Sequence, residues 1–179
     1  MLMVLTLVTV IGVGAAGFYW KFLRAGDHRP RPTQASWGEH SAIAYSFLSL
    51  IPRDPAGTGY MGARCSAVGT IVVQAGDPVP VRQITCTDDH DVATWYTQYA
   101  TPGDMQKYLD AHTVRVRDKE VGRKSVALYR PIDPAAPFTM ATCKDVKSGD
   151  QTMLVEVSWP GRSFDYTYLN WWLWAPFEP

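Results

Sequence analysis

The sequence predicts an α+β protein in which an N-terminal transmembrane helix precedes one compact domain with a mostly antiparallel sheet and two or three helices. The first twenty residues carry no charged side chain, and a helix of that length spans about 30 Å, the thickness of a bilayer's hydrocarbon core. Short β-prone runs then alternate with Gly, Pro and Asp, which indicates strands joined by tight turns. Helix-capping residues precede apolar stripes at several places in the same region.

The chain divides into three predicted segments. Residues 1–20 form the transmembrane helix or signal anchor, with Tyr19 and Trp20 at the membrane interface. Residues 21–36 form a basic linker that contains prolines. Residues 37–179 form the globular domain, which we expect on the extracytoplasmic side of the cell membrane.

The amino-acid composition limits the classes of function that this chain can have. Of 179 residues, 46% are hydrophobic, which is enough to bury a core and too many for a disordered chain. Lys and Arg together number 17, as do Asp and Glu, so the formal net charge is zero. A nucleic-acid-binding surface needs a basic excess, so we expect no nucleic-acid partner.

The uncharged N-terminal stretch has three other interpretations. Gly14-Ala15-Ala16 offers small residues for cleavage of a signal peptide, although no charged residue precedes it. Gly12, Gly14 and Gly17 match the G-x-G-x-x-G fingerprint of nucleotide-binding oxidoreductases, but 28–32, where a second strand is needed, contains two prolines and no acid. A buried helix of a water-soluble protein is the third.

A transmembrane helix here carries small residues on one face and basic residues after its end. Gly12 and Ala16 are four positions apart, which is typical of a face that packs against a partner helix. Lys21 and Arg24 follow the helix, and the positive-inside rule taken alone places the domain in the cytoplasm. The cysteines favour the opposite orientation, which is the one we predict.

The domain is expected to contain six strands and three helices. The predicted helices are 36–50, with Ser36 as cap, 102–111, with Thr101 as cap, and 163–174. The predicted strands are 70–74, 81–87, 92–99, 125–129, 138–143 and 152–159. The mixed charges of 115–124 indicate a solvated loop.

Three cysteines are present, and none forms a C-x-x-C motif. Cys65 and Cys86 flank a turn-rich loop, and a disulfide between them stabilises the fold by about 3 kcal/mol on the loop-entropy model. Cys143 is then expected to be buried as a small apolar residue. Three reduced, buried thiols in a cytoplasmic domain are the alternative.

The order of these features resembles a known family. A helix ending in Leu50-Ile51-Pro52 precedes Cys65 and the strand of Cys86, the run 95–99 is aromatic, and Ala141-Thr142-Cys143 precedes a strand that ends at Trp159. Residues 38–176 are in this way similar to small extracytoplasmic domains of actinobacterial single-pass membrane proteins, including those that follow the membrane helix of serine/threonine kinases. The resemblance implies a sensing, binding or accessory role in the envelope and identifies no ligand.

Two groups of side chains are candidates for chemistry. Asp88, Asp89, His90 and Asp91 are weak candidates for a metal site, since Asp is also favoured in solvated turns. His40 and His112 have no acidic or nucleophilic partner at a recognisable spacing, and no known catalytic motif is present. We therefore predict no catalytic residue, no metal and no cofactor.

The most aromatic stretch of the chain lies near its end. At α-helical spacing Trp171 and Trp174 share a face with Tyr168, and Trp172 points elsewhere. The segment is expected to close the sheet, and the alternative is an exposed surface of Tyr168, Trp171, Trp172 and Trp174 that meets a protein partner or the membrane.

These observations favour a membrane-anchored extracytoplasmic binding or accessory module, such as a subunit of a larger envelope assembly with a protein partner in the membrane or envelope. The alternatives are an envelope enzyme and the nucleotide-binding oxidoreductase. A pocket joining His90 or His112 to Cys143 or to several carboxylates favours the enzyme.

Overall fold

The computed structural model describes residues 34–121, 124–144 and 152–177. The predicted transmembrane helix, the linker up to residue 33, the Gly12–Ala16 face and the Gly12–Gly14–Gly17 fingerprint lie outside these residues. Within them, no helix combines the length and the apolar character needed to cross a membrane. The described residues belong to one compact unit, Pro32–Pro179.

The described part of the chain contains a seven-stranded sheet in the order β1-β2-β3-β7-β6-β5-β4, and all neighbouring strands run antiparallel. The strands are β1 (Arg64–Ala67), β2 (Arg82–Thr87), β3 (Ala93–Gln98), β4 (Thr113–Val121), β5 (Lys124–Pro131), β6 (Met140–Lys144) and β7 (Met153–Ser158). The predicted α+β class with a mostly antiparallel sheet is confirmed.

The helices are short, with one exception. They are α1 (Gln34–Trp37), a 3-10 turn (Gly38–His40), α2 (Ser41–Ser46), a second 3-10 turn (Tyr60–Gly62), α3 (Pro102–His112), α4 (Phe164–Thr167) and a π-helical turn (Tyr168–Trp172). The eleven-residue α3 begins as predicted, because the Thr101 side chain accepts the backbone N–H of Asp104 and Pro102 opens the helix.

Alternation along the strands sends side chains to two cores, one on each face of the sheet. In β7, Val155 and Val157 face the first core, and Leu154 faces the second. The first core packs the sheet against residues 37–51 and against the aromatic residues of 171–177. Phe47 and Tyr96 are in ring contact there at 5.1 Å. The second core lies under α3, where Met105 and Leu109 are buried.

The predicted helix 36–50 is broken. Gly38 has a φ of +53°, which a right-handed helix cannot contain, and the chain continues as separate short helices. Ser36 does not cap a helix; its hydroxyl donates to the carbonyl oxygen of Arg53. Residues 36–50 have the helix propensity and the apolar spacing of a helix, but the backbone conformation of Gly38 introduces a turn within this segment.

Two other local predictions are wrong. The run 70–74 is not a strand; β1 (Arg64–Ala67) occupies the position beside β2, and 70–74 belongs to the loop that joins β1 to β2. The run 115–124 is not a solvated loop, because most of it forms β4, with a bulge between Arg115 and Arg117. β4 lies at the edge of the sheet, where charges and bulges are favoured because they prevent pairing with another chain.

The predicted disulfide is confirmed. Cys65 and Cys86 are directly opposite in the β1–β2 register and are joined covalently. Cys143 lies outside this bond and is buried on β6, as expected. The disulfide holds the edge strand β1 to the rest of the sheet.

Candidate functional site

A pocket of about 460 Å³ lies on the second face of the sheet, beside α3. Helix α3 packs over β5, β6 and β7, and no helix among the described residues covers the β2–β3 side of that face. The loop 71–80 and the loop 132–138 complete the walls of the opening. We call this cavity the sheet pocket, and its size is typical of a small-molecule site.

The floor of the sheet pocket is built by the strand register. Gln83 of β2 is opposite Thr97 of β3, and its amide donates to the Thr97 hydroxyl at 2.9 Å. Trp95 of β3 is opposite Glu156 of β7. Because the side chains of alternate residues share one face, these four residues form a polar and aromatic patch on the second face of the sheet.

The wall of the sheet pocket is the end of α3. Tyr108 and His112 are four positions apart and therefore share a helix face, with their rings 4.7 Å apart. The Tyr108 hydroxyl donates to Oε1 of Glu156 at 2.6 Å. His112 Nε2 lies 2.8 Å from Oδ1 of Asp77, which belongs to the loop 71–80. These two bonds connect helix, loop and sheet around the cavity.

Glu156 is the chemically unusual residue of the site. Its side chain lines the sheet pocket although the residue is only 8% exposed. Burial raises the pKa of Glu156 to about 7, against the opposing effects of the Tyr108 hydrogen bond and of His112. Burial and the nearby Glu156 carboxylate in turn raise the pKa of Tyr108. The carboxyl group therefore changes its charge near neutral pH inside the cavity.

The folded state should lose stability as Glu156 ionises. Between pH 4.5 and about 7 the folded protein retains a proton that the unfolded chain releases, so the free energy of unfolding falls as the pH rises through this window. In Glu156→Gln the amide oxygen still accepts the Tyr108 hydrogen bond. We expect the wild type to lose roughly 2–3 kcal/mol more than this variant between pH 4.5 and pH 8.

Urea unfolding at both pH values checks this expectation. Both proteins keep the other groups that face this carboxyl, namely Tyr108, His112, Asp77 and Tyr99, so the difference between wild type and variant isolates Glu156. Asp165→Asn, an exposed carboxylate on α4, is the matched control and should follow the wild type. Parallel loss of stability in the wild type and Glu156→Gln would contradict a strongly raised pKa.

The weak metal candidates form a turn. Oδ1 of Asp88 accepts the backbone N–H groups of His90 and Val92, at 2.7 and 3.0 Å, between β2 and β3. Asp91 has a φ of +59°, a conformation that Asp tolerates in turns. No group of three metal-binding side chains occurs among the described residues. His90 is exposed and does not line the sheet pocket.

The candidate aromatic surface is divided by the structure. Trp171 and Trp172 are both buried, at 2% exposure, whereas Trp174 is 74% exposed. The predicted shared face of Trp171 and Trp174 is wrong because a π-helical turn, with Leu173 N–H bonded to the carbonyl of Tyr168, rotates the following residues. Tyr168 is half-buried and stacks on Trp172 at 5.5 Å. The segment closes the first core, and Trp174 extends from it.

Sequence reasoning found no acidic partner for His112 at a recognisable spacing, and the structure brings Asp77 to it from 35 positions away. It also missed Glu156. One signal was present: Glu156 is the single acid in the apolar strand Met153–Ser158, and period-two alternation places it on the face opposite to Val155 and Val157. A lone acid within a buried strand requires a partner or a function.

Comparisons with protein-family models, with curated proteins and with solved structures found no match for this chain. The sheet pocket and its residues are therefore the basis of the function proposed below.

Proposed function

We propose that this chain is a membrane-anchored extracytoplasmic binding module that takes a small molecule in the sheet pocket. The observation that carries the proposal is the cavity of about 460 Å³, in which apolar walls surround a few convergent polar groups. That combination is what small-molecule sites need, because apolar area supplies affinity and a few polar groups supply orientation.

The described contacts support a preformed site. Three hydrogen-bonded pairs hold the floor, the helix and the loop in place: Gln83–Thr97, Tyr108–Glu156 and His112–Asp77. Lys107 donates to the carbonyl oxygen of Gly76 at 3.2 Å and adds a second link between α3 and the loop 71–80. A site held in this way loses little conformational entropy when a ligand binds.

The location rests on two features. The Cys65–Cys86 disulfide favours an oxidising, extracytoplasmic compartment. The uncharged residues 1–20 favour a membrane anchor. The test is labelling of intact cells with a membrane-impermeant thiol reagent, before and after reduction. We expect labelling of Cys65 and Cys86 only after reduction, and labelling that requires cell lysis would place the domain in the cytoplasm.

Ligand binding is tested by ligand-observed NMR with the full chain in nonionic detergent. The probes are amines, alcohols and carboxylic acids built on phenylethyl, cyclohexylethyl and indolylethyl skeletons. Ala111→Trp fills the sheet pocket from an exposed position on α3, and Gln106→Trp is the matched control on the same helix outside the pocket. We expect binding that Ala111→Trp abolishes and Gln106→Trp retains; absence of binding by every probe contradicts the proposal.

A second candidate is an envelope enzyme, favoured by one specific observation. The sheet pocket joins His112 to two carboxylates, those of Asp77 and Glu156, and the pKa of Glu156 is about 7. A carboxyl group that titrates near the working pH suits general acid–base catalysis. Mass spectrometry of each bound probe after incubation separates the two functions: chemical change by the wild type and none by Glu156→Gln supports the enzyme.

A further inference from the structure

We propose that the ligand of the sheet pocket is an organic cation, an amine or quaternary ammonium group carried on an apolar body. The inference rests on the proposed function, because it names the chemical class that the same cavity would select. It is carried by three observations: the sign of the charges that line the cavity, the placement of Glu156, and the aromatic rings around that carboxylate.

The ionisable side chains that line the sheet pocket are strongly biased towards acids. Asp77, Asp133 and Glu156 line it, and no Lys or Arg does so among the residues that the structure describes. The single base is His112, which is already paired with Asp77 at 2.8 Å. An anion entering this cavity meets carboxylates without a free basic partner, whereas a cation meets attraction from each of them.

Glu156 is placed to receive the charged end of such a ligand. Its Oε1 accepts the Tyr108 hydroxyl, and Tyr108 is the one hydrogen-bond donor to this carboxylate within the described part of the chain. A buried carboxylate with a single neutral donor is poorly compensated in its ionised form. An ammonium group beside Glu156 supplies the missing positive charge, and a charge-assisted hydrogen bond is stronger than a neutral one.

Aromatic rings surround the same position. Trp95 is the cross-strand neighbour of Glu156, and the Tyr108 ring lies 5.8 Å from that of Tyr99, all three lining the cavity. Rings near a carboxylate attract cations through their electron-rich faces, and this combination is used for substituted ammonium ions. The remaining walls, which include Ile71, Pro80 and Phe138, suit an apolar body.

The experiment uses the probe set of amines, alcohols and carboxylic acids on shared skeletons. Affinities are measured by calorimetry with the full chain in nonionic detergent at pH 8, where Glu156 is mainly ionised and the amines are protonated. We expect each amine to bind at least about ten-fold more tightly than its alcohol, and the acids to bind most weakly. This comparison uses the wild type alone and does not depend on whether a variant folds.

Glu156→Gln tests the residue itself. The variant should weaken the amines at least about ten-fold and change the alcohols by less than about two-fold, and Asp165→Asn should change neither. Amine affinity of the wild type should fall between pH 8 and pH 5, because Glu156 takes up a proton and loses the negative charge that attracts the ammonium group, while His112 faces it from α3 in both proteins. Tyr108, Tyr99 and Asp77 also face this site and are present in both proteins, so Glu156→Gln should flatten the pH profile.

The outcomes separate this inference from the proposed function. Alcohols or acids that bind as tightly as the amines, or amine affinity that Glu156→Gln leaves unchanged, overturn the cation specificity while the sheet pocket remains a binding site. Absence of binding by every probe overturns both.

Discussion

Trp171→Ala is expected to destabilise the folded protein by about 3–5 kcal/mol, whereas Trp174→Ala is expected to change its stability by less than about 0.5 kcal/mol. Trp171 is 2% exposed, contacts Tyr60 and Phe177 edge to face at 6.0 and 6.1 Å, and belongs to the first core. Truncation there removes buried apolar area and leaves a cavity. Trp174 is 74% exposed, so its truncation removes little.

Urea unfolding of both variants, followed by far-UV circular dichroism, measures this difference. The comparison also tests the π-helical turn, because an uninterrupted α-helix places Trp171 and Trp174 on one face and predicts similar costs for both. Equal destabilisation of the two variants would therefore contradict the turn at Tyr168–Trp172.

Removal of the disulfide has the second largest expected effect. The bond closes a loop between residues with a sequence separation of 21, and on the loop-entropy model its loss in Cys65→Ala/Cys86→Ala lowers the free energy of unfolding by about 3 kcal/mol. Among the described strands β1 pairs only with β2, so the bond fixes a strand at the edge of the sheet. We expect β1 to exchange its amide hydrogens faster in the variant.

Thermal and urea unfolding in the presence and absence of a reductant test this prediction. The reduced wild type should resemble the double variant, and Cys143→Ala should retain its sensitivity to the reductant, since Cys143 lies outside the bond. Identical unfolding of the wild type with and without reductant would indicate that the disulfide contributes nothing to stability.

Local signals in the sequence predicted the elements whose ends are fixed by neighbouring residues. Thr101, Pro102 and Asp104 specify the start of α3 by capping geometry alone. β2 and β3 were predicted within one residue of their observed ends, because an alternating run between turn residues has few other conformations. The disulfide followed from the placement of Cys65 and Cys86 around a turn-rich loop.

The same signals failed where a distant contact or a single backbone angle decided the outcome. Residues 70–74 have strand propensity, but β2 is already paired with β1 on one side and with β3 on the other, so β2 has no free edge for them. Mixed charges in 115–124 indicated a loop, but pairing with β5 forms an edge strand. Gly38 and the π-helical turn each changed the direction of a chain whose propensity was helical.

The sequence by itself determined the α+β class, the helix α3 with its cap, the strands β2 and β3, and the disulfide. Each of these depends on residues close together in the chain or on a covalent bond. Only the tertiary structure decided the sheet pocket. Asp77 meets His112, and Tyr108 meets Glu156, across separations of 35 and 48 positions. Contacts of that range are set by strand order and helix docking, which no local pattern of residues specifies.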